Sequence, residues 1–501
     1  MDSRGTDYQL TIVNRSVEHR IGKRLIREIP YFEKIHHDLK GSKENKIELD
    51  FDEQTLVSFL NWIELGYIFM EMKNIMHMCN IADYFVLKSV INNIEIYFHN
   101  NFKIEHLPIV LPQVTTTSKL INSGALNAFL CRHFSKIANT TVWLDYPVEI
   151  IKYICNLEVM VHSEIQVFEA IYRWMKHNPE SRKCYLDGLL NHVRWCHLEA
   201  KDLALIEENE FFKSSGFKPI ICPSRKLNCD CGLNRTDRNY FIMIEKLGDS
   251  VLRIKVLDNN LLPLFNRIMK PDASLPSHIL PDQHISDISF HFGNQIIRVD
   301  WNRNKYKYLS AQHDSYFQRI FKYIFEKDGH HIENYCDWNR FLEANERCIL
   351  INFCSQLARY WPKHTAEDTE IFSDKNHAIL ATVLNNNIYL LTKKLEFIQS
   401  DIYFQKHVTL YKYSNRPKTG SIDYSDHFIL TSKQSNDDRV ILIDTHTKDA
   451  RCFNVSTREW SSINHIIYPD SNEQQESCSL LTFTSAFISM DIIRLFASLK
   501  V

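Results

Sequence analysis

Residues 163–179 read SEIQVFEAIYRWMKHNP, and the chain runs on to Leu189, Leu190, Val193 and Arg194. Ile165, Phe168, Ile171, Tyr172 and Met175 recur at the spacing that gathers side chains on one helix face. Ser163 with Gln166 has the form of a capping box, in which two side chains satisfy orphan amides at a helix start. Glu164 falls in the first turn, where negative charge opposes the helix dipole. Pro179 stops the helix. Trp174, close to Phe168, Ala170 and Ile171, reads as core rather than as a binding aromatic.

The same character extends on both sides. Leu120, Leu126, Phe129, Leu130 and Phe134 form one apolar face, and Leu186, Leu189, Leu190 and Val193 another, so residues 105–212 read as all helical. Nearer the N-terminus, Leu10, Ile12 and Val17 alternate like a strand, as do Ile47 and Leu49. Leu25, Ile26, Ile29 and Phe32 follow helical spacing. Asp52 is placed to cap a helix carrying Leu56, Phe59, Leu60 and Ile63, with Gly66 at its end. A second helix puts Ile75, Met78, Cys79, Ala82, Phe85 and Val86 on one face, and a third spans Lys88 to Phe98. Met70, Met72, Met76 and Met78 read as core packing rather than as a soft binding surface.

From about residue 225 the pattern changes to short runs of β-branched and aromatic residues between polar turns. These are Phe241–Ile244, Val251–Leu257, Ile288–Phe292, Ile296–Val299, Ile388–Leu391, Val408–Tyr411, Phe428–Leu430 and Val440–Ile443. Residues 213–232, with Pro219 and Pro223, read as the linker. Residues 316–358 stay ambiguous, with Tyr316–Phe325 open to a helical reading. Two tails look alike: Tyr306 stands six after Asp300, and Trp460 six after Asn454. Lys393-Lys394 and Asp437-Asp438-Arg439 read as solvated loops.

Composition limits the function. At 501 residues the chain is too long for one ordinary domain. Lys+Arg 59 against Asp+Glu 61 leaves no basic excess for a dedicated nucleic-acid binder. Glycine numbers 12 and never clusters, so G-x-G-x-x-G, the P-loop and G-x-S-x-G are absent. No long apolar run predicts a membrane span, and MDSRGTDYQL has no apolar core of a signal peptide. With 13 cysteines and no visible leader, reduced thiols in the cytoplasm or nucleus are expected. Cys222, Cys229 and Cys231, and His192, Cys196 and His197, lack the regular four-ligand spacing of zinc sites. No catalytic, metal or cofactor site is expected. Spacing alone does not decide whether some Cys/His pair meets in space.

Residues 105–212 resemble a BACK domain, with Ser163, Glu164, Phe168, Ala170, Trp174, Arg182, Leu189, Leu190, Val193 and Arg194 in family order. The first 104 residues resemble a BTB/POZ domain, on Asp7, Leu10, Ile12, Pro30, Tyr31, Phe32, Leu60, Trp62, Ile63, Ala82, Asp83, Tyr84 and Phe85. The family's histidine before the Pro-Tyr-Phe helix aligns with Ile21, and its Tyr-Thr pair with Glu64-Leu65. Residues 233–501 are similar to a kelch propeller in Tyr306, Trp460 and the run Asn387–Leu391, but the blade diglycine never occurs.

The resemblance implies a multidomain chain: an α+β BTB domain, an all-α BACK domain and an all-β, degenerate kelch-like propeller of about six blades. It implies an adaptor that dimerises around Tyr8, Leu10, Leu25 and Ile26, binds cullin-3, and presents an unknown protein substrate for ubiquitination. Neither nucleic acid nor membrane is an expected partner. The family's cullin contact uses a hydrophobic-x-Glu element; residues 54–62 hold no Glu, although Glu53 precedes them and Glu64 follows. A scaffold without ligase activity is the alternative.

Overall fold

The computed structural model describes residues 8–38, 46–65, 70–221, 235, 239–290, 295–309, 319–320, 323–324, 339–343, 348–352, 357–361, 369–370, 378–384, 387–392, 394–401, 407–412, 427–433, 437–447, 449–463 and 478–497. They fall in two compact units, Met1–Leu126 and Asn127–Val501.

In the first unit, β1 (Tyr8–Asn14) pairs antiparallel with β2 (Val17–Gly22) and parallel with β3 (Lys46–Leu49). Helices Glu53–Leu65, Ile75–Tyr84 and Lys88–Asn101 follow the periodicities above. The single helix expected through Leu25, Ile26, Ile29 and Phe32 is two, Lys23–Glu28 and Pro30–Asp38, because Ile29 before Pro30 is extended, as a residue preceding proline tends to be. Asp52 caps as expected: its Oδ1 accepts from the Thr55 amide at 2.9 Å and from the Thr55 hydroxyl at 2.6 Å. Met72, Met76 and Met78 are core. Val86 departs from expectation. The helix has ended at Tyr84, and Val86 is 63% exposed with φ +61°. Gly66 lies outside the described residues.

The second unit opens with a helical layer. Its main helices are Ser123–Ala138, Val148–Asn156, Ile165–His177, Leu186–Leu190, Ala200–Glu208 and Glu210–Ser215. Gly216, at φ +68°, closes the last one in the left-handed region that glycine adopts without a Cβ penalty. Residues 213–215, read as linker from sequence, are therefore the final turn of a helix.

A series of antiparallel meanders follows. The first comprises β4 (Asn239–Leu247), β5 (Val251–Leu257) and β6 (Pro263–Pro271); the second β7 (Ile285–Phe290), β8 (Gln295–Asp300) and β9 (Lys305–Leu309). Next come β10 (Asn339–Glu343), β11 (Cys348–Asn352), β12 (Leu357–Trp361) and β13 (Thr369–Glu370). Then β14 (Ala378–Leu384), β15 (Asn387–Thr392), β16 (Glu396–Asp401) and β17 (His407–Lys412) form a sheet. The last four-strand run is β18 (Phe428–Ser432), β19 (Arg439–Asp444), β20 (Asp449–Asn454) and β21 (Glu459–Ser462).

The final strand, β22 (Cys478–Phe487), returns to the first meander. It pairs with β4 across the full register from Cys478 opposite Leu247 to Phe487 opposite Asn239. This closure gives the order β22-β4-β5-β6, which β9-β8-β7 extends through a two-residue parallel contact between β6 and β9. Each of the eight strand runs read from sequence falls in a strand, except that residues 291 and 292 lie outside the described set. Residues 319, 320, 323 and 324, inside the ambiguous stretch, are helical.

Successive sheets pack face to face. Tyr389, Leu391, Phe397, Leu430, Leu442 and Phe453 fill the layer between the β14 and β18 sheets. Phe241, Met243, Ile441, Ile443, Cys452 and Phe483 fill the next. This explains why β15 and β19 bury residues on both faces instead of alternating. Five strands lie side by side in the order β7, β22, β18, β14, β10. Hydroxyls join several of them: Thr484 Oγ1 donates to Ser289 O at 3.0 Å, Ser485 Oγ to Ser432 O at 2.8 Å, and Ser432 Oγ to Val383 O at 2.5 Å. The β-rich domain is propeller-like, and the described residues supply five antiparallel units against the expected six or so.

Candidate interaction sites

In the N-terminal unit, Phe32 and Phe85 are buried in an aromatic cluster with Phe51 and Phe59. Pro30 opens its helix, where a missing amide costs nothing. Tyr31 joins the cluster, and its hydroxyl lies 2.8 Å from that of Tyr84. Burial, then the Tyr84 hydrogen bond, pushes the Tyr31 phenol up to about 12. Ala82 is buried and Asp83 exposed, 3.9 Å from Lys119.

Leu10, Leu25 and Ile26, expected at a dimer face, are 2%, 6% and 5% exposed within the single chain. They are core residues of this unit, and only the backbone of Tyr8 is described, as the first residue of β1. Glu53 is also engaged internally. Its carboxylate accepts from Asn14 Nδ2 at 2.6 Å and lies 2.6 Å from His19 Nε2. Asn14 is wholly buried and also exchanges hydrogen bonds with the Phe51 backbone.

In the helical layer the decisive motif is built differently from its sequence reading. The Ser163 hydroxyl accepts from the Ile165 amide at 3.3 Å and donates to Asp202. Gln166 reaches back to the His162 amide, at 2.7 Å, rather than to that of Ser163. Glu164 is no surface charge on a helix dipole. It is fully buried, and both its oxygens are held by Arg235, Nε to Oε1 at 2.6 Å and Nη2 to Oε2 at 2.8 Å. The Arg194 amide adds a bond to Oε2 at 3.1 Å, while the Arg194 guanidinium grips Glu158 at 2.6 and 3.1 Å. Val193 is buried beside them in sequence.

Trp174 is core, as read. Its Nε1 donates to Tyr146 O at 2.8 Å, and the Arg182 guanidinium lies over its ring at 4.3 Å. Arg235 was not singled out from sequence. A buried glutamate demands a cation, but nothing in the residues around position 235 says that this arginine supplies it.

In the β domain the two like tails share a geometry. The Asp300 carboxylate accepts the Arg303 amide at 3.0 Å, and the Asn454 amide oxygen accepts that of Thr457 at 2.8 Å. Asn304 and Arg458, four residues on, have φ +54° and +59°. Tyr306 then donates to Ser250 O at 2.9 Å, and Trp460 packs on Phe397 and Phe453. Asp437-Asp438-Arg439 is no solvated loop. Arg439 pairs with the buried Asp437 carboxylate at 2.7 Å and donates to Asn259 O at 2.7 Å. The Lys433 ammonium also donates to Asn259. Lys394 is exposed, and Lys393 lies outside the described residues.

Burial raises the thiols of Cys79 and Cys155 to about 12 and that of Cys452 to about 11, so these three stay protonated and unreactive. Among the described residues no three His, Cys, Asp or Glu side chains are arranged to hold a metal ion. Cys222, Cys229 and Cys231 lie outside that set. No described helix is long and apolar enough to cross a membrane.

Residues 118–207 match the family model "BACK: BTB And C-terminal Kelch". Kelch-like protein 6 from Homo sapiens is 24% identical over 191 residues, covering 37% of this chain and 30% of that protein. The match thus spans less than a third of the relative. Solved structures with shallow likeness include apo AztD from Citrobacter koseri, at 8% identity and TM-score 0.22, covering 49% of this chain and 63% of that one. A nidogen/laminin complex gives 8% identity and TM-score 0.22, covering 50% of this chain and 99% of that one. At that depth the structural likeness carries no argument.

Proposed function

We propose that this chain, one of the BTB–BACK–kelch-like proteins, is a non-catalytic adaptor of a cullin-3 ubiquitin ligase. Its BTB-like domain pairs with a second copy and engages cullin-3. The BACK domain extends that surface, and the β domain, a degenerate kelch-like propeller of about six blades, captures a protein substrate in the cytoplasm or nucleus. The observation that carries the reading is the BACK match over residues 118–207, whose motif residues are core elements of a helical layer tied to the β domain. Pairing doubles the substrate sites, which raises apparent affinity through effective concentration.

Leu10, Leu25 and Ile26 are already covered within the single chain, so the proposed pairing face lies on the surface around them rather than on these side chains. Pull-down of endogenous cullin-3 with the full chain tests the ligase role, and robust capture is expected. A specific observation favours the second reading, a BTB scaffold without ligase activity. Glu53, the nearest acidic residue to the missing hydrophobic-x-Glu element, is held by Asn14 and His19. A folded, paired protein that captures no cullin-3 supports the scaffold.

A further inference from the structure

Arg235 follows the linker in sequence, yet its guanidinium is wholly buried in the helical layer that precedes the linker. Arginine carries five N–H donors. Here Nε and Nη2 take the Glu164 carboxylate, Nη2 also reaches His192 O at 2.7 Å, and Nη1 reaches Cys155 O at 2.8 Å and Leu157 O at 3.0 Å. All five are used. The BACK match ends at residue 207, so a residue outside it completes the charge balance of its core.

A second tie joins the same two layers. Glu343, the last residue of β10, lies 2.8 Å from Arg132 Nη2 and 3.0 Å from Lys136 Nζ, both on the helix Ser123–Ala138. One tie sits where the chain enters the β domain and the other on its third meander. The geometry points to a strap: Arg235 threads back into the helical core and, with the Glu343 tie, makes the helical layer and the β domain one cooperative rigid body. The β domain's surface is thereby held at a set orientation to the helices rather than hung from a free linker.

The physical reason is the asymmetry of buried ion pairs. Removing Arg235 leaves the buried Glu164 charge alone and takes the guanidinium donor from Cys155 O and His192 O, so the strap cannot release piecemeal at low cost. The inference goes beyond the adaptor reading and stands whether or not cullin-3 binds.

Two readouts on the full chain test it. Hydrogen exchange follows the Arg194 amide, which bonds to Glu164. Arg235→Ala is expected to lower its protection on the order of 10²-fold, the scale set by breaking a buried pair. Electron–electron distance measurement between spin labels carried on unnatural residues at the exposed Glu149 and Thr447 is expected to give one narrow distribution in the parent and a broad one in the variant. If Arg235→Ala fails to fold, the double variant Glu164→Gln/Arg235→Met removes both charges together and is expected to fold while broadening the distribution. A distribution as narrow as the parent's in whichever variant folds, with Arg194 protection unchanged, overturns the strap.

Discussion

The Trp460 indole of β21 meets the Phe397 ring of β16 edge-on, with centroids 5.1 Å apart, and so joins two neighbouring sheets. Its position is prepared upstream. Asn454 folds the turn, Arg458 takes the left-handed conformation, and the chain re-emerges with Trp460 aimed at the adjacent sheet. Asp300, Asn304 and Tyr306 repeat the turn and the left-handed residue in the second meander. Trp460→Ala deletes this contact and opens a gap beside Phe453, so a loss of about 2–4 kcal/mol is expected. Trp460→Phe keeps an aromatic edge and should lose less than about 1.5 kcal/mol. Chemical denaturation followed by circular dichroism ranks the two; equal losses would show that the contact is idle.

Val86 gives a prediction of opposite sign. The Leu87 amide donates to Ala82 O at 2.9 Å and the Val86 amide to Asp83 O at 3.0 Å, the paired bonds of a Schellman helix end. Glycine is usual at the left-handed residue of that motif, but here a β-branched valine holds φ +61° with its side chain exposed. Val86→Gly removes the steric cost and deletes little packing. It is expected to stabilise the N-terminal unit by about 1 kcal/mol, read as a rise in denaturation midpoint at unchanged slope.

These two cases mark what sequence could and could not supply. Helical periodicity around Trp174, the Asp52 cap and the strand runs were legible because each rests on side chains within one or two turns of each other. The Asp300 and Asn454 tails were legible as a likeness, though the left-handed residues inside them were not, since neither asparagine nor arginine announces its φ. Strands such as β6 and β16 escaped because neither alternates: β6 buries only Phe265 and Met269 among exposed polar residues and a proline at each end, while β16 buries Phe397 and Ile398 in succession. Glu164 looked like a dipole charge because its partner lies 71 positions away. The Asp437–Arg439 corner looked solvated for the same reason: its acceptor, Asn259 O, belongs to a distant meander.

Asn14 is the hinge of the polar network around Glu53. Its side chain accepts from the Phe51 amide at 2.8 Å and donates to Phe51 O and to Glu53. Asn14→Ala leaves a part-buried amide and carbonyl without partners, which costs about 2–3 kcal/mol. Asn14→Asp is near-isosteric but turns a donor to Glu53 into a second carboxylate, so it is expected to be worse at neutral pH and to recover towards the alanine variant in acid. Stability curves at two pH values check the order. If the aspartate variant matched the parent at neutral pH, Glu53 would not depend on Asn14.

Acid stability should be set largely by the cluster at the Glu343 tie. Burial, with Lys136 and Arg132 nearby, lowers His162 from its ordinary 6.5 to about 4, against a smaller opposing pull from Glu343. Between those values the unfolded chain binds the proton and the folded chain does not, so stability rises with pH across the window. The contribution is complete above pH 6.5 and is lost as pH falls towards 4. It amounts to about 3–4 kcal/mol at most. His133, fully buried beside the same cations, is lowered for the same reason and acts in the same direction. Glu343 adds a later loss. Burial alone would raise its carboxyl, but Arg132 and Lys136 overcome that and hold it well below its ordinary 4.5. Its share is present above pH 4.5 and disappears below it. His162→Asn is therefore expected to flatten the slope of unfolding free energy between pH 6.5 and 4, and Glu343→Gln to flatten it only below 4.5 while lowering stability at neutral pH. Urea titrations across pH 3.5–8 separate the two windows, and a His162→Asn curve parallel to the parent's would show that this imidazole titrates alike in both states.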